Sequence, residues 1–210
     1  MLQSQTLSEQ KKEIRVMIKE KVGSLSLAHL NDQSLKASEL LLHTSIYVQS
    51  TVVLSYMAMD TEINPRLITQ KALAEHKQVA LPRIVPHTAD MQFYFINDDV
   101  PLEKQLEPGC WGILEPKKNQ MAELSLQSGD MVCVVVPGVA FTRQGERLGH
   151  GKGFYDRFFL KLDDMAKCCS VKVVRIGMCL EEQLIDFVPT EDTDVTMDYI
   201  LTATKLYCCK

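Results

Sequence analysis

The alternation of apolar and polar residues along the chain predicts helices and strands in turn. Four segments with apolar residues at helical spacing are predicted helices: one that starts near Thr6, residues 32–43, one that starts at Pro65, and residues 153–165. Thr6 and Glu9 fit a capping box, which fixes the start of the first helix. Asn64 is a good N-cap before Pro65, which is a favourable first helical residue.

Short runs of apolar and β-branched residues are predicted strands, and they alternate with the helices. They are residues 51–59, 78–85, 91–96, 130–141, 171–180 and 199–203, and the Pro137-Gly138 pair is predicted to end the fourth of these strands. This alternation predicts an α/β fold with a mostly parallel sheet covered by helices on both faces. Residues 97–125 are punctuated by proline and glycine and are predicted to be irregular. Loops this long inside a compact domain are often functional.

The composition predicts one globular domain, with 210 residues of which 46% are apolar and 24% charged. The formal net charge of -4 argues against nucleic acid as a partner, because such binding relies on a basic face. Seven cysteines include adjacent pairs at 168–169 and 208–209 and have no zinc spacing, so reduced thiols of a cytosolic protein are expected. We see no apolar signal core and no run long enough to cross a bilayer, so no membrane association is expected.

The segment with the most chemical information is RLGHGKGFYD, residues 147–156, which lies between a predicted strand and a predicted helix. Its glycines, Gly149, Gly151 and Gly153, allow the backbone to approach an anion closely and to point amides at it. Lys152 adds a mobile positive charge, and the N-terminus of the following helix also favours phosphate. The spacing matches neither the P-loop nor the dinucleotide fingerprint. A tight strand-to-helix turn with a solvated lysine is the alternative.

A longer segment, PGVAFTRQGERLGHGKGFYDR at residues 137–157, resembles the signature of the 5-formyltetrahydrofolate cyclo-ligase family nearly end to end. The matching positions are Pro137, Gly138, Phe141, Gly145, Arg147, Leu148, Gly149, Gly151, Gly153, Tyr155 and Asp156. Weaker matches follow the same order along most of the chain: Lys11, Arg15, Glu62 within MAMDTEI, the LPR of residues 81–83, the WGILEP of residues 111–116, Asp194 and Asp198. His150 occupies a variable position of the signature, and Phe154 stands where the family commonly has tyrosine.

The resemblance implies a single-domain, three-layer α/β/α fold similar to that of sugar-phosphate isomerases and coenzyme A transferases. It also implies a reaction in which ATP and 5-formyltetrahydrofolate, with or without a polyglutamate tail, become 5,10-methenyltetrahydrofolate, ADP and phosphate, with Mg²⁺ required. Transfer of the γ-phosphoryl group activates the formyl oxygen as a leaving group, and N10 of the folate then attacks the carbon. A cytoplasmic monomer is expected.

The resemblance assigns roles to residues of this sequence. The implied catalytic residues are Arg147, Lys152 and Tyr155. The implied ATP-binding residues are Lys11, Lys12, Glu13, Ile14, Arg15, Arg147, Leu148, Gly149, His150, Gly151, Lys152, Gly153, Phe154 and Tyr155. The implied folate contacts are Met57, Glu62, Trp111, His150, Gly151, Lys152, Gly153 and Phe154. Asp156 and Asp194 are the implied ligands of Mg²⁺, which prefers carboxylate and water oxygens.

Local patterns alone leave structural alternatives for several of these residues. Lys11 and Arg15 share one face of a helix and are also explained as solvated charge. Asp156, in the first turn of a helix, would stabilise the helix dipole without a metal, and Asp194 would cap a turn. Trp111, the only tryptophan, would be a core residue.

Two other functions are compatible with the predicted fold. One is an isomerase or transferase that needs no ATP, and the other is a non-catalytic paralogue that binds nucleotide or folate. The intact Lys152 and Asp156 argue against a paralogue with a dead site. A structural or interaction module would have no use for a loop of glycines and lysine.

Overall fold

The computed structural model describes residues 6–209. Its helices are α1 (Leu7–Gly23), α2 (Leu27–Leu42), α3 (Ser45–Gln49), α4 (Arg66–Ala74) and α5 (Phe154–Cys169). Its strands are β1 (Val52–Leu54), β2 (Gln78–Ile84), β3 (Met91–Ile96), β4 (Leu106–Pro108), β5 (Leu114–Pro116), β6 (Met131–Val136), β7 (Ala140–Phe141), β8 (Arg147–Leu148), β9 (Lys172–Met178), β10 (Tyr199–Leu201) and β11 (Leu206–Cys208). Within residues 6–209, no helix combines the length and hydrophobicity that crossing a bilayer requires.

The main sheet has seven strands in the order β11-β10-β9-β6-β1-β2-β3. Strands β10, β9, β6, β1 and β2 run parallel, whereas the edge strands β3 and β11 are antiparallel to their neighbours. Parallel neighbours need long crossover connections, which α4 provides between β1 and β2 and α5 provides between β6 and β9. The predicted mostly parallel sheet is confirmed.

Alternate residues of the central strands point to opposite faces of the sheet, and helices cover both faces. Val53 of β1 and Val135 of β6 pack with apolar side chains of α1, α2 and α4. Val52 and Val134 pack on the other face with the aromatic and aliphatic side chains of α5. The fold is therefore a three-layer α/β/α arrangement, as expected. Burial on both faces explains why these strands are continuously apolar in sequence.

The helix starts follow from local capping. The amide of Thr6 donates to the Glu9 carboxylate at 2.8 Å, and the Thr6 hydroxyl accepts from the Glu9 amide at 3.3 Å, so the predicted capping box is confirmed. Helix α2 begins earlier than the predicted residue 32, because the Ser26 hydroxyl caps it by accepting from the amide three residues on. Asn64 Oδ1 accepts from the Arg66 amide at 3.0 Å, and α4 starts one residue later than predicted.

Strand β1 ends earlier than predicted, whereas β6 ends at Val136, directly before the Pro137-Gly138 pair that was predicted to end it. Both strand ends lead into the cleft described below. After Leu54 the chain leaves the sheet, although residues 55–59 were predicted to extend the strand. After Val136, Pro137 has no amide to continue a ladder, and the chain turns into β7, which pairs with β8 instead of the main sheet. Helix α3, the β4–β5 hairpin and β11 were not predicted, and the hairpin lies within the stretch predicted to be irregular.

Candidate active site

A cleft of about 830 Å³ opens at the carboxyl ends of the parallel strands. Its walls come from the segments after β1 and β6, the end of β2, the N-terminal part of α1, the β4–β5 hairpin, and the loop between β8 and α5. Ligands of α/β sheets gather at this edge of the sheet. The volume is typical of a site that encloses a small molecule.

The glycine loop, residues 149–153, forms one wall of the cleft. Gly151 and Gly153 have φ angles of 92° and 66°, in the left-handed region that favours glycine. Within residues 6–209, the amides of the glycine loop donate no hydrogen bond to the protein, and the Lys152 ammonium makes no ion pair. Arg15 Nε holds the loop from the other side by donating to the Gly149 carbonyl at 2.9 Å. The loop thus presents unused donors to the cleft, as an anion site does.

Arg147 lies beneath the glycine loop and is almost completely buried. Its Nη2 donates to Asp156 Oδ1 at 2.8 Å, and its guanidinium lies 5.4 Å from the centre of the Tyr155 ring. Within residues 6–209, the buried Arg147 Nε and the buried Tyr155 hydroxyl have no hydrogen-bond partner. Burial raises the pKa of Tyr155 and the nearby Glu62 raises it further, against the opposing effect of Arg147. Tyr155 therefore keeps its proton and is a donor that a ligand would satisfy.

Helix α1 contributes two basic side chains to the cleft, next to the glycine loop. Lys11 Nζ donates to Asp194 at 2.7 Å and to Glu191 at 3.1 Å. Burial disfavours the charged form of Lys11, but these hydrogen bonds outweigh it and the pKa is raised. Lys11 is only 9% exposed, so it is not a solvated charge. Burial lowers the pKa of Arg15, and the charge of Asp194 opposes that effect.

Three residues of the implied ATP-binding segment on α1 do not line the cleft. Lys12 and Glu13 are exposed, and Ile14 packs against the core formed by the sheet and the helices on its face. Helical geometry explains this, because Lys11 and Arg15 lie one turn apart on the same face while the residues between them point elsewhere. Lys12, Glu13 and Ile14 were predicted to contact ATP, but none of these three residues lines the cleft.

The mouth of the cleft is apolar and aromatic. Trp111 is 65% exposed and meets the Phe154 ring edge to face, with ring centres 5.9 Å apart. Leu114 and Leu160 are also exposed there, and Met57 lies further in. Trp111 is therefore not a core residue. An exposed aromatic pair at a cleft mouth provides a surface on which a flat ring can stack.

Glu62 lines the cleft and lies in the segment after the end of β1. Its Oε2 accepts the amide of Met59 at 3.0 Å, and its Oε1 lies 3.2 Å from His150 Nε2. The Glu62 side chain is 9% exposed. His150 belongs to the glycine loop, so this contact joins two segments that are 88 residues apart in sequence.

Asp156 and Asp194 both line the cleft, and each already neutralises a cation. Asp156 uses one carboxylate oxygen for Arg147, and Asp194 uses one for Lys11. Within residues 6–209, no group of three or more histidine, cysteine, aspartate or glutamate side chains is arranged to hold a metal. The second oxygens of the two aspartates suit Mg²⁺ that is carried mainly by phosphates, rather than an all-protein site.

Several residues of the cleft were assigned no role from sequence, although Met59, Pro82, Ile113, Leu114 and Glu115 lie within the weaker family matches. They are Ser8, Tyr56, Met59, Pro82, Ile84, Met91, Ile113, Leu114, Glu115, Arg157, Leu160, Glu191 and Thr193. Arg157 ends the matched segment, and its guanidinium braces the loop by donating to the carbonyls of Lys152 and Ala89. For Glu191, the only indication of a role in the sequence was its position three residues before Asp194. The apolar members looked like ordinary strand and helix residues, except Ile113 and Leu114, which lie in the stretch predicted to be irregular.

The fold and cleft define a class: a three-layer α/β protein in which a glycine-rich loop lines a deep, partly apolar cleft at the carboxyl ends of the strands. The profile of the 5-formyltetrahydrofolate cyclo-ligase family matches residues 7–203, and the chain belongs to this family of enzymes.

Relatives match along nearly the full chain. A probable 5-formyltetrahydrofolate cyclo-ligase of Caenorhabditis elegans is 30% identical over 195 residues, which cover 93% of each protein. The 5-formyltetrahydrofolate cyclo-ligase of Mus musculus is 24% identical over 198 residues, covering 93% of this chain and 95% of the mouse protein. The solved structure of Aquifex aeolicus 5,10-methenyltetrahydrofolate synthetase matches with a TM-score of 0.74 at 25% identity, covering 95% of this chain and 93% of that one.

Proposed function

We propose that this chain catalyses the ATP-dependent cyclisation of 5-formyltetrahydrofolate to 5,10-methenyltetrahydrofolate. One observation carries the proposal: unused amide donors and a free lysine in the glycine loop share a single cleft with an aromatic, apolar mouth. ATP needs the first feature, and a folate, with its flat ring system, needs the second. The names of the relatives support the same activity.

The proposed reaction has two bond-forming steps. The formyl oxygen attacks the γ-phosphorus of ATP, the bond to the β-phosphate oxygen breaks, and ADP leaves. N10 then attacks the activated carbon, the carbon–oxygen bond breaks, and phosphate leaves with the former formyl oxygen. The proton lost from N10 balances the release of hydrogen phosphate. Phosphoryl transfer of this kind depends on positioning and charge neutralisation more than on covalent help from the protein.

The proposed phosphate site consists of the amides of the glycine loop, Lys152, and the two basic residues of α1. Lys152 is exposed and has no competing ion pair within residues 6–209, so it can move to the phosphates at little cost. Lys11 and Arg15 line the same cleft, and Arg15 contacts the glycine loop directly. Arg147 acts from beneath the loop, where its buried charge stabilises negative charge without itself being solvated.

The proposed folate site extends from the mouth inwards. Trp111 and Phe154 provide the stacking surface, and Met57 provides apolar contact. The Tyr155 hydroxyl, which lacks a partner in the described chain, would donate to a polar atom of the folate or of the transferring phosphoryl group. Glu62 offers a fixed carboxylate to a donor on the folate ring.

Mg²⁺ would be held by ATP phosphates together with the remaining oxygens of Asp156 and Asp194. When bound, the ion would neutralise charge on the triphosphate. A cytosolic setting is supported by the cysteines, all within residues 6–209, among which no disulfide is formed. A monomer and acceptance of polyglutamylated folates remain predictions.

The direct test is the rise in ultraviolet absorbance of methenyltetrahydrofolate when purified protein is mixed with 5-formyltetrahydrofolate, ATP and Mg²⁺. Omission of ATP or of Mg²⁺ should abolish the rise. Lys152→Ala should raise the KM for ATP by about tenfold or more, because a charge-assisted hydrogen bond contributes ~1.5–3 kcal/mol. Lys167→Ala, at an exposed position late in α5, is the matched control and should leave KM unchanged. Absence of ATP-dependent product from folded protein would refute the proposal.

A further inference from the structure

The hydrogen bond between His150 and Glu62 joins two segments that line the cleft, and it has no role in the reaction proposed above. His150 belongs to the glycine loop, which is proposed to hold phosphate, whereas Glu62 follows β1 on the side proposed to hold folate. The two side chains approach to 3.2 Å, with 56% of His150 and 9% of Glu62 exposed. This hydrogen bond therefore connects the two halves of the site. Of its two side chains, His150 is largely exposed to solvent and Glu62 is nearly buried.

The carboxylate of Glu62 is held at both oxygens. One oxygen accepts the Met59 amide at 3.0 Å, and the other accepts from His150 Nε2. An ionised carboxylate only accepts, so the imidazole must donate through Nε2. Loss of His150 would leave one oxygen of a nearly buried carboxylate without its donor, and the side chain would be free to rotate about its remaining contact.

The glycine loop is fastened on both sides of His150. Arg15 donates to the Gly149 carbonyl at 2.9 Å, and the Arg15 guanidinium lies 3.4 Å from the position that a Cβ on Gly151 would occupy. His150 is between these two glycines, so any movement of the loop on phosphate binding must move its imidazole as well. Arg15 anchors the loop to α1, and His150 anchors it to Glu62.

Other charged and titratable groups face this bridge. Arg15 and Lys152 bring positive charge from α1 and from the loop itself. Burial raises the pKa of both Tyr56 and Tyr155, and the negative charge of Glu62 raises each further, so the carboxylate is close to both hydroxyls. The negative charge of Glu62 thus acts on both tyrosine hydroxyls, so the orientation of its carboxylate affects several groups at once.

We propose that His150 is a positioning residue that couples the phosphate loop to the folate side of the cleft by orienting Glu62. This inference rests on the proposed function, since it assigns the two sides of the bridge to the two substrates. Occupation of the loop by a triphosphate fixes the loop, the fixed loop holds His150, and His150 holds the carboxylate ready for folate. The coupling is reciprocal, because each ligand must strengthen binding of the other by the same factor.

The test measures the Kd of 5-formyltetrahydrofolate by calorimetry, with and without a saturating β,γ-imido analogue of ATP and Mg²⁺. Wild-type protein should bind the folate about five- to tenfold more tightly with the analogue present, at the lower end of the roughly 5- to 150-fold range typical of coupling between two binding sites. His150→Ala should lose most of this factor and raise the KM for folate more than it lowers kcat. His150→Gln, which can donate from a similar position, should restore both. His43→Ala, on the exposed end of α2, is the control and should behave as wild type.

A second comparison separates coupling from a general loss of structure. In a Glu62→Ala background, His150→Ala should have no further effect on the folate Kd, because the two residues act through one contact. The inference would be overturned if His150→Ala changed the folate Kd as much in the Glu62→Ala background as in wild type. It would also be overturned if the ATP analogue did not tighten folate binding in wild-type protein, or if His150→Ala retained that tightening. Failure of the proposed function would look different, since wild-type protein would then form no methenyl product.

Discussion

Gly151 and Gly129 have nearly the same φ angle but different surroundings. Their φ angles are 92° and 94°, and such a conformation costs a non-glycine residue about 1–3 kcal/mol. A Cβ on Gly129 would meet nothing within 4 Å, whereas one on Gly151 would lie 3.4 Å from the Arg15 guanidinium. Gly129 precedes β6, at the end of the strands remote from the cleft. Alanine at these positions therefore applies the same strain inside and outside the proposed phosphate site.

Both variants should lose similar thermal stability. For a chain of this size, about 1–3 kcal/mol corresponds to a fall in Tm of roughly 2–12 °C. Only Gly151→Ala should also impair ATP use, because the loop relieves strain by rotating its amides away from the phosphate. Returning the amides to their phosphate-binding orientation then costs free energy in the transition state. If this cost is about 1.4 kcal/mol, kcat/KM for ATP falls about tenfold.

The assay is methenyl formation at saturating folate with ATP varied, alongside a thermal melt of each protein. Gly129→Ala should keep kcat/KM for ATP within about twofold of wild type, because strain remote from the cleft leaves transition-state stabilisation intact. Equal ATP efficiency in the two variants, with equal losses of Tm, would refute a phosphate-cradling role for the glycine loop.

Three further outcomes are expected. Because the pKa of Lys11 is raised above the ordinary 10.5, its ion pairs stabilise the fold fully below that value and are lost as pH rises through the raised pKa. The Tm difference between wild type and Lys11→Met should therefore be constant up to 10.5 and shrink above it; a difference that persists unchanged would contradict this. Trp111→Ala should leave Tm nearly unchanged but raise the KM for folate about three- to tenfold, since lost stacking costs ~0.5–1.5 kcal/mol, and an unchanged KM would remove Trp111 from the site. Burial raises the pKa of Cys133 to about 12, so a thiol reagent at neutral pH should label the exposed Cys168 and Cys208 in native protein and reach Cys133 only after unfolding, as peptide mass spectrometry would reveal.

Much of the fold follows from local patterns. The capping box at Thr6, the apolar strands and the alternation of strands with helices were all sufficient to predict the layered sheet. The end of β1 was not predictable in this way, because Tyr56, Met57 and Met59 are apolar for a different reason: they line the cleft instead of extending a strand. The β4–β5 hairpin was missed because each strand is short and ends in proline.

The site was predictable where the signal was local and contiguous. The glycines and the lysine of residues 147–156 predicted an anion site, and these residues line the cleft. What sequence could not provide is the pairing of distant side chains. Nothing local to Glu62 indicates His150 as its partner, and nothing local to Asp194 indicates that it holds Lys11. Such pairs depend on the strand order, which the sequence pattern left open.

The contact between Lys11 and Asp194 spans 183 positions of the chain. During translation, α1 leaves the ribosome long before the segment that carries its carboxylate partners, and β10, which completes the parallel part of the sheet, is made later still. Until then Lys11 has no counterion and the cleft lacks one wall. Nascent or prematurely terminated chains should therefore bind neither nucleotide nor folate, and the protein becomes competent only when almost its last strand has docked.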